Sequence, residues 1–242
     1  MDYDASIILC TINEIKTLPE VVSKIESVAD FTYQIVFVDD NSRDGTRQFI
    51  TEYCEKHENT KTAFNSSKRS LLIANYLGIS KADGKLIIIM DADLQHPVER
   101  INDIFRKLKE GYDIVVASRY SPGGSTGNRK PIRGIISRIA GMSAKYFIKN
   151  SSETTDPLSG FFGFRKGMKL LIDERWRGYK TLLFLIASNP GAKIADVPYV
   201  FHERAAGKSK IVDGTDFFIT YLTELVLVKR VETRVRSNDK IS

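Results

Sequence analysis

A chain of 242 residues, 42% hydrophobic and 27% charged, has ordinary globular composition and enough length to bury one large core. No apolar run approaches the ~20 residues a membrane-spanning helix needs, and Cys10 and Cys54 are too few and too far apart for a disulfide framework or a zinc site, which points to a reducing compartment. The net charge of +6 is unevenly spread: residues 114–152 contain no Asp or Glu but hold Arg119, Arg129, Lys130, Arg133, Arg138, Lys145 and Lys149, so a phosphate-bearing or anionic-lipid partner is expected, and no nucleic acid, since no RNA or DNA module is visible.

The acidic start Met1-Asp2-Tyr3-Asp4 lacks the features of a secretory signal and runs straight into a strand pattern. Strand patterns at 6–10, 34–38, 61–65, 85–90 and 114–118 alternate with helical patterns at 18–28, 46–56, 71–82 and 98–109. This spacing predicts an α/β fold, a Rossmann-like, mostly parallel twisted sheet flanked by helices. A Gly/Ser/Pro-rich stretch at 121–131 is long enough to act as a mobile lid, and it separates the regular half from a less regular one.

Polar residues collect where three of these strands end. Thr11-Ile12-Asn13-Glu14 follows the first strand, and Asp39-Asp40-Asn41-Ser42-Arg43-Asp44-Gly45-Thr46 closes the second. Asp91-Ala92-Asp93-Leu94-Gln95-His96 follows Leu86-Ile87-Ile88-Ile89-Met90, the unbroken apolar run of a strand buried on both faces. Ligands of open α/β sheets bind beyond the carboxyl ends of the strands, and two hard carboxylates one residue apart there suit Mg²⁺ or Mn²⁺ carrying a phosphorylated substrate. An acidic loop capping a helix that starts near Pro97 is the plainer reading of either Asp alone. Carboxylates at the other two strand ends can accept bonds from ribose hydroxyls or base N–H groups. Asp44, just ahead of a helix, reads as an N-cap, with Ser42 and Gly45 as turn residues.

Two later stretches are amphipathic. At 100° per residue, Ile132, Ile135, Ile136, Ile139, Met142, Tyr146 and Phe147 share one helical face, with Arg138, Lys145 and Lys149 off it. Such a helix either lies in a bilayer interface or packs on the core. Residues 217–230 are too short to span a bilayer and too apolar to be left in water; they dock on the domain, join an oligomer or add to membrane attachment.

The ordered set Thr11-Ile12-Asn13-Glu14, Val38-Asp39-Asp40 through Thr46, Asp91-Ala92-Asp93-Leu94-Gln95-His96-Pro97, Ser118-Arg119-Tyr120 and Asp156-Pro157-Leu158-Ser159-Gly160 resembles the GT-A glycosyltransferases of family 2, in particular the polyprenyl-phosphate branch that includes the dolichyl-phosphate mannose synthases. The resemblance runs from about residue 6 to 210. It implies a GT-A domain over 1–212, including the 121–150 loop and interface helix, then a C-terminal amphipathic helix and tail over 213–242. It also implies roles. Glu14 and Asp40 hold the nucleoside, Ala92 lies against the sugar-phosphate, and Asp91, Asp93 and Gln95 surround Mg²⁺ or Mn²⁺ and the diphosphate. Arg119, Arg133, Ser137, Arg204 and Lys210 face phosphate groups.

The implied reaction is inverting transfer of a hexose, mannose from GDP-mannose, to dolichyl or polyprenyl phosphate by a peripheral enzyme on the cytosolic face of a membrane. Transfer from UDP-glucose or a UDP-N-acetylhexosamine, to polyprenyl phosphate or another acceptor, is the alternative. A nucleotide-sugar-binding module without turnover is the alternative from another class. It is prompted by departures from the family pattern: Phe184 stands where Glu is common, and the loop at 65–71 lacks glycines. Cys10 and Ile12 stand where Pro and Tyr are usual, so packing against the base departs from the family's and the nucleotide stays open.

Overall fold

The computed structural model describes residues 2–65, 70–128, 131–172, 178–203 and 215–238; for residues 131–133, 135 and 215–218 the backbone alone is described. Strands β1 (Ala5–Thr11), β2 (Tyr33–Asp39), β3 (Thr60–Phe64), β4 (Leu86–Asp91) and β5 (Ile114–Ser118) alternate with helices α1 (Leu18–Val28), α2 (Thr46–Lys56), α3 (Leu71–Lys81) and α4 (Arg100–Lys109). All nine lie where the sequence patterns put them, with ends displaced by at most two residues. The second half adds α5 (Pro131–Phe147), a short 3-10 turn (Lys149–Glu153), β6 (Phe162–Arg165), α6 (Thr181–Ser188), β7 (Ile194–Pro198) and α7 (Thr215–Asn238).

The strands form one sheet in the order β3-β2-β1-β4-β6-β5-β7. Every pairing is parallel except those of β6, which runs antiparallel between β4 and β5. Side chains along each strand alternate between two cores. Ile8, Val36, Val38, Ile87 and Ile89 meet α3 and α6, whereas Ile7, Leu9, Ile35, Phe37, Ile88 and Met90 meet α1, α2 and α4. Sequence patterning missed β6, α6 and β7 for physical reasons. All eight residues of α6, Thr-Leu-Leu-Phe-Leu-Ile-Ala-Ser, are buried, so the helix shows no amphipathic period. In β6, Gly163 lets α4 approach the sheet: a Cβ there would lie 2.5 Å from Ile104 Cγ2.

Two expectations about the second half meet different outcomes. The stretch 121–131 is no free lid as far as residue 127, because it is laced to the segment after β7. Ser125 N donates to Tyr199 O at 2.9 Å and Phe201 N to Ser125 O at 2.9 Å. A Cβ on Gly127 would lie 2.1 Å from Phe201 O, which only glycine avoids. Helix α5, in contrast, is amphipathic, and the large apolar residues described in it face outward. Small Ala140 and Ala144 pack inward, while Ile136, Ile139, Met142, Tyr146 and Phe147 are exposed, Tyr146 at 85%.

Helix α7 docks beside α5 and α6 through Tyr221, Leu225 and Val228, and leaves Ile219, Leu222 and Val226 exposed. Its polar anchors are buried. Glu224 accepts the backbone N–H groups of Tyr179 (2.7 Å) and Lys180 (3.0 Å) at the head of α6, Glu232 accepts that of Lys149 (2.9 Å), and the Tyr221 hydroxyl meets Ser143 Oγ on α5 at 2.9 Å. Among the described residues, no helix is long and apolar enough to cross a membrane.

Candidate active site

The candidate site lies at the C-terminal ends of β1, β2 and β4, three neighbours in the sheet. Chain direction forks here, since β2 and β3 extend to one side of β1 and β4 to the other, which opens a crevice. Each strand leaves through a left-handed turn at a residue with a side chain: Asn13 (φ 52°), Asn41 (φ 65°) and Leu94 (φ 62°). The first two turns are stitched together, with Arg43 N donating to Asn13 Oδ1 (2.7 Å), Asn13 N to Ser42 Oγ (2.9 Å) and Glu14 N to Thr46 Oγ1 (2.9 Å). Thr17 Oγ1 adds the third turn, donating to Ala92 O at 2.8 Å.

Glu14 and Asp40 are both buried at this junction. Asp40 also organises the start of α3, for its two oxygens accept from Asn65 Nδ2 (2.6 Å) and Ser70 N (3.2 Å). Asp44 does less than a full N-cap. Gly45, at φ 95°, occupies the cap position, and Asp44 bonds Thr46 N (3.1 Å), Thr46 Oγ1 (2.6 Å) and Ile15 N (3.2 Å). Burial works against its charge, but these bonds win and hold its carboxyl below the ordinary value.

Asp91 ends β4 with its side chain 40% exposed, Ala92 is buried, and Asp93 is 4% exposed with Oδ1 accepting Gln95 N at 3.1 Å. Gln95 ties the loop to the segment after β7, its Nε2 donating to His202 O (3.3 Å) and its carbonyl accepting His202 N (3.0 Å). Oxygen donors of this kind fit a hard divalent cation. Gly160 lies beside this carboxylate: a Cβ there would be in van der Waals contact with Asp91 Oδ2, at 3.4 Å. Among the described residues, no three His, Cys, Asp or Glu side chains cluster as a complete metal cage. A ligand set of two carboxylates and an amide is what Mg²⁺ or Mn²⁺ takes when substrate phosphates and water complete the shell.

Arg119 is 7% exposed and committed within the protein: Nε and Nη2 bond Asp156 Oδ2 (2.7 Å) and Oδ1 (2.8 Å), and its backbone N–H also donates to Asp156 (3.2 Å). Burial opposes the guanidinium charge, and Asp156 more than offsets it, so Arg119 stays cationic well beyond its ordinary range. Sequence reasoning gave Asp156 no role. The signal lay in the acid-free stretch 114–152, whose buried arginine needed a carboxylate from beyond it. Tyr120 then links Arg119 to α5: its ring lies 5.3 Å from Arg119 Cζ and 5.6 Å from Arg138 Cζ, and its hydroxyl donates to Ser137 Oγ at 3.1 Å. The side chain of Arg133, and Arg204 and Lys210 altogether, lie outside the described residues.

Beneath the crevice, Cys10 Sγ donates to Asn75 Oδ1 (3.0 Å), and Asn75 Nδ2 to Thr181 Oγ1 (2.8 Å). Burial, and after it the charges of Asp91 and Asp40, push the Cys10 thiol well up, so it remains a protonated donor. Phe184, the departure from Glu, is fully buried in the core between the sheet and α6.

The family model described as Glycosyl transferase family 2 matches residues 6–174. Dolichol-phosphate mannosyltransferase of Pyrococcus furiosus is 34% identical over 213 residues, which cover 88% of this chain and 60% of that protein. The protein of that name in Saccharomyces cerevisiae is 32% identical over 216 residues, covering 86% of this chain and 75% of that one. This chain thus spans about three fifths to three quarters of the length of these relatives. Among solved structures, glucosyl-3-phosphoglycerate synthase from Mycobacterium tuberculosis, in complex with Mn²⁺, UDP and glucosyl-3-phosphoglycerate, shares the fold, with a TM-score of 0.64 at 16% identity over 96% of this chain and 78% of that one.

Proposed function

The chain belongs to glycosyl transferase family 2, and from that premise we propose that it transfers a hexose with inversion, mannose from GDP-mannose, to dolichyl or polyprenyl phosphate at the cytosolic face of a membrane. The observation that carries the reading is the pair Asp91 and Asp93 at the fork of a parallel sheet, joined by hydrogen bonds to the turns that hold Glu14 and Asp40. Relatives named for dolichol phosphate and mannose support this choice of acceptor and sugar.

In this reading Glu14 and Asp40 hold the nucleoside, and Ala92 backs the sugar-phosphate. Asp91, Asp93 and Gln95 would hold Mg²⁺ or Mn²⁺, which when bound neutralises charge growing on the departing diphosphate. The acceptor phosphate oxygen attacks the anomeric carbon as the bond from that carbon to the nucleoside diphosphate breaks. No protein base is required, because a phosphate monoester with a second pKa of about 6 is already largely dianionic at neutral pH. Two phosphate groups must approach each other, so Arg119, Arg133, Ser137, Arg204 and Lys210 serve to bind them and screen their repulsion. Asp156 fixes the Arg119 guanidinium before a ligand arrives.

The outward apolar faces of α5 and α7 support attachment to a bilayer surface, with Arg138, Lys145 and Lys149 beside anionic headgroups. Transfer from UDP-glucose is a second reading, favoured by the fold shared with a synthase crystallised with Mn²⁺ and UDP-glucose. Radiolabelled GDP-mannose, UDP-glucose and UDP-N-acetylglucosamine, each offered with Mn²⁺ and vesicles containing dolichyl phosphate, separate the two. Chloroform-extractable label is expected from GDP-mannose; nucleotide binding without extractable label from any donor overturns the reading in favour of a binding module.

A further inference from the structure

His96 has no part in the roles assigned above, yet its surroundings are specific. The ring is 3% exposed and packed on three sides by aromatic residues: it stacks on Phe161 (centroids 5.1 Å) and meets the edges of Tyr199 (5.7 Å) and Phe201 (5.8 Å). The aromatic packing alone would be served as well by phenylalanine. Both ring nitrogens are instead turned to one residue. Nδ1 accepts the backbone N–H of Asp91 at 3.3 Å, and Nε2 faces Asp91 Oδ2 at 4.0 Å.

The first contact fixes the tautomer, since a nitrogen that accepts from an N–H carries no hydrogen, and the proton of the neutral ring therefore sits on Nε2, toward the carboxylate. The contact also closes the loop 91–96 on itself. That loop passes through Leu94 at φ 62°, a conformation that costs a branched apolar residue about 1–2 kcal/mol and persists only where the surroundings enforce it. The enforcing bonds include Asp91 N to His96 Nδ1, Gln95 N to Asp93 Oδ1, and the pair between Gln95 and His202.

We infer that His96 is the positioning residue of the metal loop: anchored by its aromatic box, it holds the Asp91 backbone and carboxylate in the arrangement that receives the cation. The inference rests on the proposed metal site. It predicts that deleting the two nitrogens while keeping the ring harms metal binding more than it harms the fold.

Mn²⁺ binding to the full chain in the presence of GDP, followed by the loss of the free-ion paramagnetic resonance signal, is the test, applied to wild type, His96→Phe and His96→Asn. His96→Phe keeps the aromatic packing but leaves the Asp91 N–H without its acceptor, so it is expected to lose no more than a few degrees of melting temperature, yet to weaken Mn²⁺ binding 10- to 100-fold, the usual effect of removing a group that orients a ligand. His96→Asn gives up the ring but places Oδ1 where Nδ1 stood, so it is expected to melt lower and to recover most of the lost affinity. Nitrogen chemical shifts of wild-type His96 should show Nδ1 bare and Nε2 protonated. Equal Mn²⁺ affinity in wild type and His96→Phe, or equal losses in both variants, overturns the inference alone. A wild-type chain that binds no Mn²⁺ with GDP removes the metal site and this inference with it.

Discussion

At Arg119 a guanidinium 7% exposed waits in a site proposed to receive phosphate groups, its charge already answered by Asp156. The pair has the geometry in which loss of one partner matters most, because both groups are buried and two parallel N–H···O bonds would be broken together. Asp156→Ala leaves the cation buried and unpaired, and should cost about 3–5 kcal/mol in urea unfolding, whereas a surface pair would cost at most about 1 kcal/mol. A loss below about 1 kcal/mol would show that water reaches Arg119 and that Asp156 does not fix it. The sequence made Arg119 legible as a candidate because it sits in an acid-free stretch, but its partner lies 37 positions away, a distance no local pattern spans.

Helix α5 turns an ambiguous pattern into a definite one. Its sequence fits either an interfacial or a core-packed helix, because period alone says which residues share a face and not what the face meets. The structure shows which side meets the domain: Ala140 and Ala144 are buried against it, and Ile139, Met142 and Tyr146 are left outside. The double substitution Ile139→Asp with Met142→Asp removes two large apolar side chains from the proposed bilayer contact, each worth about 1.5–3 kcal/mol when buried. Partition onto anionic vesicles should fall on the order of a hundredfold or more while the melting temperature stays unchanged. Undiminished vesicle binding, measured by sedimentation, would exclude this face as the attachment surface. The elements that sequence reading missed have the opposite character: α6 is buried all round and β6 is four residues long, and neither offers a period to read.

Across the whole molecule, the part of the fold that forms the crevice was the most legible. Parallel strands buried on both faces write themselves as apolar runs, and each run here ends abruptly in polar residues, so Thr11, Asp39 and Asp91 mark both the strand ends and the site. What stayed hidden comes from distant chain returning to the crevice: the antiparallel β6, Asp156, and the aromatic residues after β7 that enclose His96. The account depends on Asp93 holding a divalent cation that the sugar transfer requires. Transfer of labelled mannose from GDP-mannose to dolichyl phosphate should therefore rise with Mn²⁺ to saturation in the wild-type chain, and Asp93→Ala, folded by thermal melting, should lose at least about a hundredfold of that rate at every Mn²⁺ concentration. Wild-type transfer that persists undiminished in EDTA, or an Asp93→Ala chain that retains it, would contradict the account.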